Sequence, residues 1–139
     1  MKYKIKYKTL AINEGISPVQ NPESALSYAA DIKDDFQEHL IVVGMDIKNR
    51  VIVVHEVAKG SANTMQTHPR DIFIPLLHNL CTSFIVIHNH PSGDVDESEQ
   101  DIHFTKKVYD ASRIMGINML DHIIVSGQKY NSLKKKDII

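Results

Sequence analysis

Two histidines one residue apart, with an aspartate eleven positions after the second, carry the densest chemistry in this chain. They lie in His88-Asn89-His90-Pro91-Ser92-Gly93, followed by Asp94-Val95-Asp96-Glu97-Ser98-Glu99-Gln100-Asp101. Imidazole nitrogens and carboxylate oxygens are the ligands that zinc takes from proteins. Three of them with a fourth position left open describe a catalytic site rather than a closed structural one. Residues 83–87 form an apolar run that predicts a buried strand leading into the pair. Side chains at i and i+2 of a strand share a face, so His88 and His90 point one way and Asn89 the other. Spacing alone leaves the third ligand open, because Asp94 and Asp96 compete with Asp101. Ser98 followed three residues later by Asp101 also has the form of a capping box, the purely structural reading of that pair.

Hydrolysis at such a metal needs a proton acceptor and a donor for the developing oxyanion. Glu56 is the candidate base. It sits near the end of the apolar strand 51–57, where a carboxylate is unexpected unless it points into a site. An exposed strand-end glutamate is the competing reading.

The elements that must position these residues follow from periodicity. Residues 1–10 alternate lysine with apolar side chains, which predicts an edge strand with a solvated lysine face; a basic arm is the sharper alternative. Residues 13–21 read as a loop. A helix is expected over 22–36, with Asn21 as N-cap and Pro22 at its first position. Strands over 39–46 and 50–57 are close enough to form an antiparallel hairpin. A polar loop covers 59–68, and a helix runs from Pro69 to about Cys81, with Pro75 removing one backbone donor. After the metal-motif strand comes a helix over 98–115 stopped by Gly116, then a hairpin of 122–126 and 129–133 around Gly127-Gln128. Lys134-Lys135-Lys136 reads as a solvated tail. The class is α/β or α+β, a mixed sheet with helices packed on it, in a single domain over 1–139.

Composition narrows the function classes. The chain has 139 residues and a net charge of −1, so no global field favours nucleic acid. Its one cysteine, Cys81, excludes both an intrachain disulfide and a cysteine-based zinc cluster, and suits a reducing compartment. No apolar run is long enough to span a bilayer and no signal-peptide pattern opens the sequence, so a cytoplasmic location is expected.

Glu56, His88-Asn89-His90-Pro91-Ser92-Gly93, Ser98-x-x-Asp101 and Leu120-Asp121-His122-Ile123-Ile124-Val125 together resemble the JAB/MPN metalloprotease-type domain of bacterial RadC proteins. The general pattern there, called JAMM, is a glutamate, then His-x-His-Pro, then Ser-x-x-Asp. Residues 55–61 through 68–71 are similar to the segment that RadC domains place before their second helix. The resemblance covers about Thr9 to the C-terminus and none of its motif positions is degraded. It implies a curved mixed sheet flanked by helices, with zinc at a strand end held by His88, His90 and Asp101. It further implies Glu56 as general acid/base and Ser98 as an oxyanion donor. RadC proteins also carry an N-terminal helix-hairpin-helix region, which is not expected within these 139 residues.

The leading expectation is a zinc-dependent hydrolase of peptide or isopeptide bonds, acting on a protein or peptide. The competing readings are a nucleic-acid-processing or repair-associated factor, with weak nucleic-acid contact, and a non-catalytic interaction module. His68, Asp121 and His122 are candidates for shaping or supporting the site. His55 is expected to face away from the metal, and His39, His78 and His103 have no assigned role.

Overall fold

The computed structural model describes residues 8–9, 18–60 and 67–139. Its centre is a six-stranded sheet in the order β1-β3-β2-β4-β5-β6. The strands are β1 (Lys8–Thr9), β2 (Glu38–Met45), β3 (Val51–Gly60), β4 (Ser83–Asn89), β5 (Asn118–Ser126) and β6 (Lys129–Ser132). All pairs are antiparallel except β4 with β5. A parallel pair needs a long crossover. Here it contains α3 (Glu99–Met115), which begins at the Ser98 cap and ends at Gly116 in the left-handed conformation with φ of 70°. The other helices are α1 (Pro22–Ala25), continued by a 3-10 turn over Leu26–Ala29, and α2 (Pro69–His78).

Every residue of β2 and of β4 is buried, as central strands covered on both sides must be. The alternation of their side chains divides the core in two. Leu40, Val42, Phe84 and Val86 meet Ile72, Phe73 and Leu76 of α2 and Phe104 and Val108 of α3. Ile41, Val43, Met45, Ile85 and Ile87 turn to the other face, against Ala25, Ala29 and Ile32. Gly44 allows α2 to sit close, since a Cβ at that position would lie 2.6 Å from Cys81 Sγ and 2.8 Å from Leu76 Cδ2. Among the described residues, no helix is long and apolar enough to cross a membrane.

The α/β class, the mixed sheet and both hairpins agree with the sequence reading. Of the strand expected over 1–10, Lys8 and Thr9 pair with β3 at the sheet edge, and the remainder lies outside the described residues, as do 13–17 and 61–66 of the expected loops. The helix expected over 22–36 is far shorter. Its Asn21 cap is present, but the chain tightens at Leu26 and leaves helical geometry before Asp35. Beyond the turns, the carbonyls of Asp35 and Gln37 accept from the Asn89 side chain of β4, which ties the entry to β2 in place. The expected lysine tail is also anchored: Leu133 is fully buried, Lys135 pairs with Glu23 and Lys136 with Glu97.

Candidate metal centre

Strand β4 delivers His88 near its end, and the His90 N–H extends the pairing by donating to the Val125 carbonyl at 2.9 Å. The strand alternation therefore persists through His90, and both rings emerge on the α2–α3 face. Asp101 arrives from the first turn of α3. There it completes a capping box: the Asp101 N–H donates to Ser98 Oγ at 3.1 Å, and the Ser98 N–H donates to Asp101 Oδ2 at 2.9 Å. This aims the carboxylate at the histidines, with Oδ1 3.3 Å from His88 Nε2 and Oδ2 3.3 Å from His90 Nε2.

A second carboxylate belongs to Glu38, the first residue of β2. Leu40 pairs with His88, so Glu38 continues the same face and its Oε1 comes to 4.0 Å from His88 Nε2. Glu38, His88 and His90 each offer a ligand atom within 4.8 Å of the other two. Asp101 is the nearer carboxylate, touching both rings.

The hydrogen-bond pattern assigns the ring protons. Thr105 lies one helical turn beyond Asp101, and its hydroxyl donates to the Asp101 carbonyl at 2.6 Å. Having spent its only proton, the Thr105 oxygen accepts from His122 Nδ1 at 2.5 Å. His122 Nε2 is then the acceptor for His88 Nδ1–H at 2.7 Å. His90 Nδ1 faces the carbonyl of Asp94 at 2.8 Å and must donate to it. In their neutral forms both histidines thus carry the proton on Nδ1 and turn Nε2, the two 2.8 Å apart, toward the Asp101 carboxylate. Such a set of acceptors calls for a cation between them. Outer hydrogen bonds of this kind hold metal-binding imidazoles in the right tautomer.

Without a metal, a proton is what can stand in the cation's place. Burial opposes ionisation of Asp101, but hydrogen bonds from the His88 and His90 Nε2 positions when protonated, with that of the Ser98 amide, outweigh it and hold the carboxyl well below the usual carboxylate range. The Asp101 carboxylate raises the pKa of His90, against the effect of partial burial. Burial, with His88 adding to it, drives His122 far down, so it stays neutral, as an acceptor at Nε2 must.

Of the residues singled out by sequence, His88, His90, Ser98 and Asp101 come together. Glu56 does not, and that expectation is corrected. The register between β2 and β3 slips at Leu40/Ile41, so Leu40 faces Ala58 whereas Ile41 faces Glu56. A regular ladder would have set Glu56 opposite Val42, on the histidine face. The extra residue turns it to the opposite face, where it bonds His39 Nδ1 at 2.9 Å with its side chain 46% exposed. The same slip reverses the expectation for His55, which pairs with Val42. Asp94 and Asp96 fall outside the cluster: Asp94 Oδ1 accepts from the Asp96 N–H at 2.9 Å in a local turn. His68 is the N-cap of α2, and Asp121 accepts from Ser132 and the Lys134 amide. Glu38 escapes a sequence reading that starts the strand at His39. Its signal is the two-residue step to Leu40. Thr105 was discoverable as the i+4 neighbour of Asp101 on a helix.

Comparison with known proteins shows the family. The pattern described as RadC-like JAB domain matches residues 19–138. A UPF0758 protein of Bacillus licheniformis is 40% identical over 119 residues, which are 85% of this chain and 53% of that protein. One from Clostridium perfringens is 43% identical over 103 residues, 74% of this chain and 45% of the relative. One from Clostridium beijerinckii is 38% identical over 135 residues, 96% of this chain and 59% of the relative. The chain spans about half the length of these relatives.

Proposed function

The chain belongs to the RadC-like JAB family, and on that premise we propose that it is a metal-dependent hydrolase of amide bonds in a peptide or protein. The observation that carries the reading is the pair of Nε2 atoms facing each other at 2.8 Å with Asp101 against both. His88, His90 and Asp101 would hold the ion, and their nitrogen and oxygen donors suit zinc. Zinc bound there would supply Lewis acidity, making water acidic near neutral pH and polarising the scissile carbonyl.

The chain's own groups do the rest. Glu38, rather than Glu56, is the base: it lies on the histidine face, 4.0 Å from His88 Nε2. It takes the proton of the attacking water as the new carbon–oxygen bond forms, and returns it to the leaving amine as the tetrahedral oxyanion collapses and the bond between carbonyl carbon and nitrogen breaks. Ser98 Oγ is used by the cap only as an acceptor, which leaves its hydroxyl proton for the developing oxyanion. His122 and Thr105 keep His88 in its ligating tautomer.

The experiment is zinc stoichiometry together with cleavage of a mixture of quenched fluorescent peptides. Wild type should bind one zinc and cleave. A His88→Ala, His90→Ala double variant should lose the metal. Glu38→Gln should retain it while losing hydrolysis by about a hundred- to ten-thousandfold, and Glu56→Gln should behave as wild type. Full zinc in the double histidine variant sinks the site, and wild-type hydrolysis by Glu38→Gln with loss in Glu56→Gln restores Glu56 as the base.

A further inference from the structure

Asn89, between the two histidines, points to the opposite face of the sheet and is fully buried. Its carboxamide does not bond within β4. Oδ1 accepts from the His39 N–H at 2.6 Å, while Nδ2 donates to the Gln37 carbonyl at 2.8 Å and to the Asp35 carbonyl at 3.4 Å. The Gln37 carbonyl and the His39 N–H belong to the two peptide bonds that flank Glu38. One side chain therefore grips the backbone on both sides of that glutamate. On the β3 side Glu38 stays in the ladder opposite Gly60, but the β2–β4 ladder stops at Leu40 opposite His88, and on that side the Asn89 carboxamide takes its place.

We propose that Asn89 is a positioning residue that sets Glu38 against the histidine pair, an inference that rests on Glu38 acting at the metal. The residue type fits the task. Only a carboxamide of this length offers a donor and an acceptor side by side. An aspartate would face two carbonyls without a proton, and a leucine of similar size has neither function. The His-Asn-His triplet then carries two roles on its two faces: the histidines bind, and the asparagine between them holds the neighbouring strand's carboxylate in register. The His39 ring, bonded to Asp35 Oδ2 at 2.6 Å and Glu56 Oε2 at 2.9 Å, secures the same segment from its side.

The test compares the full chain as wild type, Asn89→Leu, Asn89→Asp, Glu38→Gln and the Asn89→Leu, Glu38→Gln double variant. Zinc affinity is measured by competition with a chromophoric chelator, and the visible spectrum of the cobalt(II)-loaded protein is followed across pH. Asn89→Leu should keep zinc affinity within about threefold of wild type, short of the roughly 10–100-fold loss that follows disturbance of a ligand's partners. Its spectral midpoint should move in the same direction as in Glu38→Gln, and the double variant should match Glu38→Gln alone. Asn89→Asp, which keeps the acceptor for His39, carries the same comparison if the leucine variant does not fold. A wild-type midpoint in the Asn89 variants overturns the proposal. So does a shift that adds in full to that of Glu38→Gln, and so does a Glu38→Gln spectrum identical to wild type. Because these readouts need no substrate, absence of peptide cleavage would refute the hydrolase reading separately.

Discussion

Replacing Thr105 with valine exchanges one hydroxyl for a methyl group at a position with no solvent exposure. Two hydrogen bonds disappear, to the Asp101 carbonyl and from His122 Nδ1. The carbonyl retains its helical partner, so the main penalty falls on the fully buried His122 N–H, at about 1–3 kcal/mol for an unsatisfied donor. The added buried methyl returns about 0.8 kcal/mol, and the net loss of stability should be no more than about 2 kcal/mol. His122 has one escape, which is to move its proton to Nε2. That proton then faces His88 Nδ1, and the His88 proton must shift to Nε2, where the metal lone pair was. Either course weakens zinc binding, by about 10–100-fold on the scale of other outer-sphere partners. Chelator competition measures the affinity, and urea denaturation of the metal-free protein measures the stability. Thr105→Ser, which keeps the hydroxyl, should recover most of the affinity. A valine variant that loses stability yet binds zinc as tightly as wild type would refute the relay and leave Thr105 a packing residue.

Three further outcomes follow from the structure. Gly44→Ala should cost about 1–3 kcal/mol by overpacking, because its Cβ would meet Val53 and Cys81 at 2.6 Å; an unchanged urea midpoint would show that α2 yields freely. Cys81 is buried and its thiol is pushed up to about 11, by burial first and by Asp46 second. Alkylation of the native protein should therefore keep accelerating up to about pH 11, whereas in urea it should level off above the ordinary thiol pKa of about 8.5, and equal rates at pH 8 would contradict the burial. DNA binding should be weak and lost as salt rises, since Lys135 and Lys136 are already paired with Glu23 and Glu97; tight zinc-dependent binding in a titration of duplex and single strands near physiological salt would make nucleic acid the substrate instead.

Local chemistry determined a good deal by itself. The spacing of His88 and His90 on an apolar strand, the Ser98-x-x-Asp101 start of a helix, the Asn21 and Gly116 boundaries and the two hairpins all depend on residues near one another in sequence, where periodicity and capping act. Tertiary structure decided what depends on pairing between distant segments. Whether Glu38 or Glu56 faces the histidines turns on one extra residue in the β2–β3 ladder, because a strand's side chains alternate with period two and a single bulge exchanges its faces. The alternation of apolar residues along β3 looks the same with or without that bulge. The tautomer of His88 likewise rests on Thr105 and His122, which reach it from a helix and a neighbouring strand. The path of the chain into β2 is also tied by Asn89, more than fifty residues away, which takes the carbonyls of Asp35 and Gln37. Each of these outcomes is a competition for a hydrogen bond or a register, and its winner is settled only when the folded chain brings both competitors together.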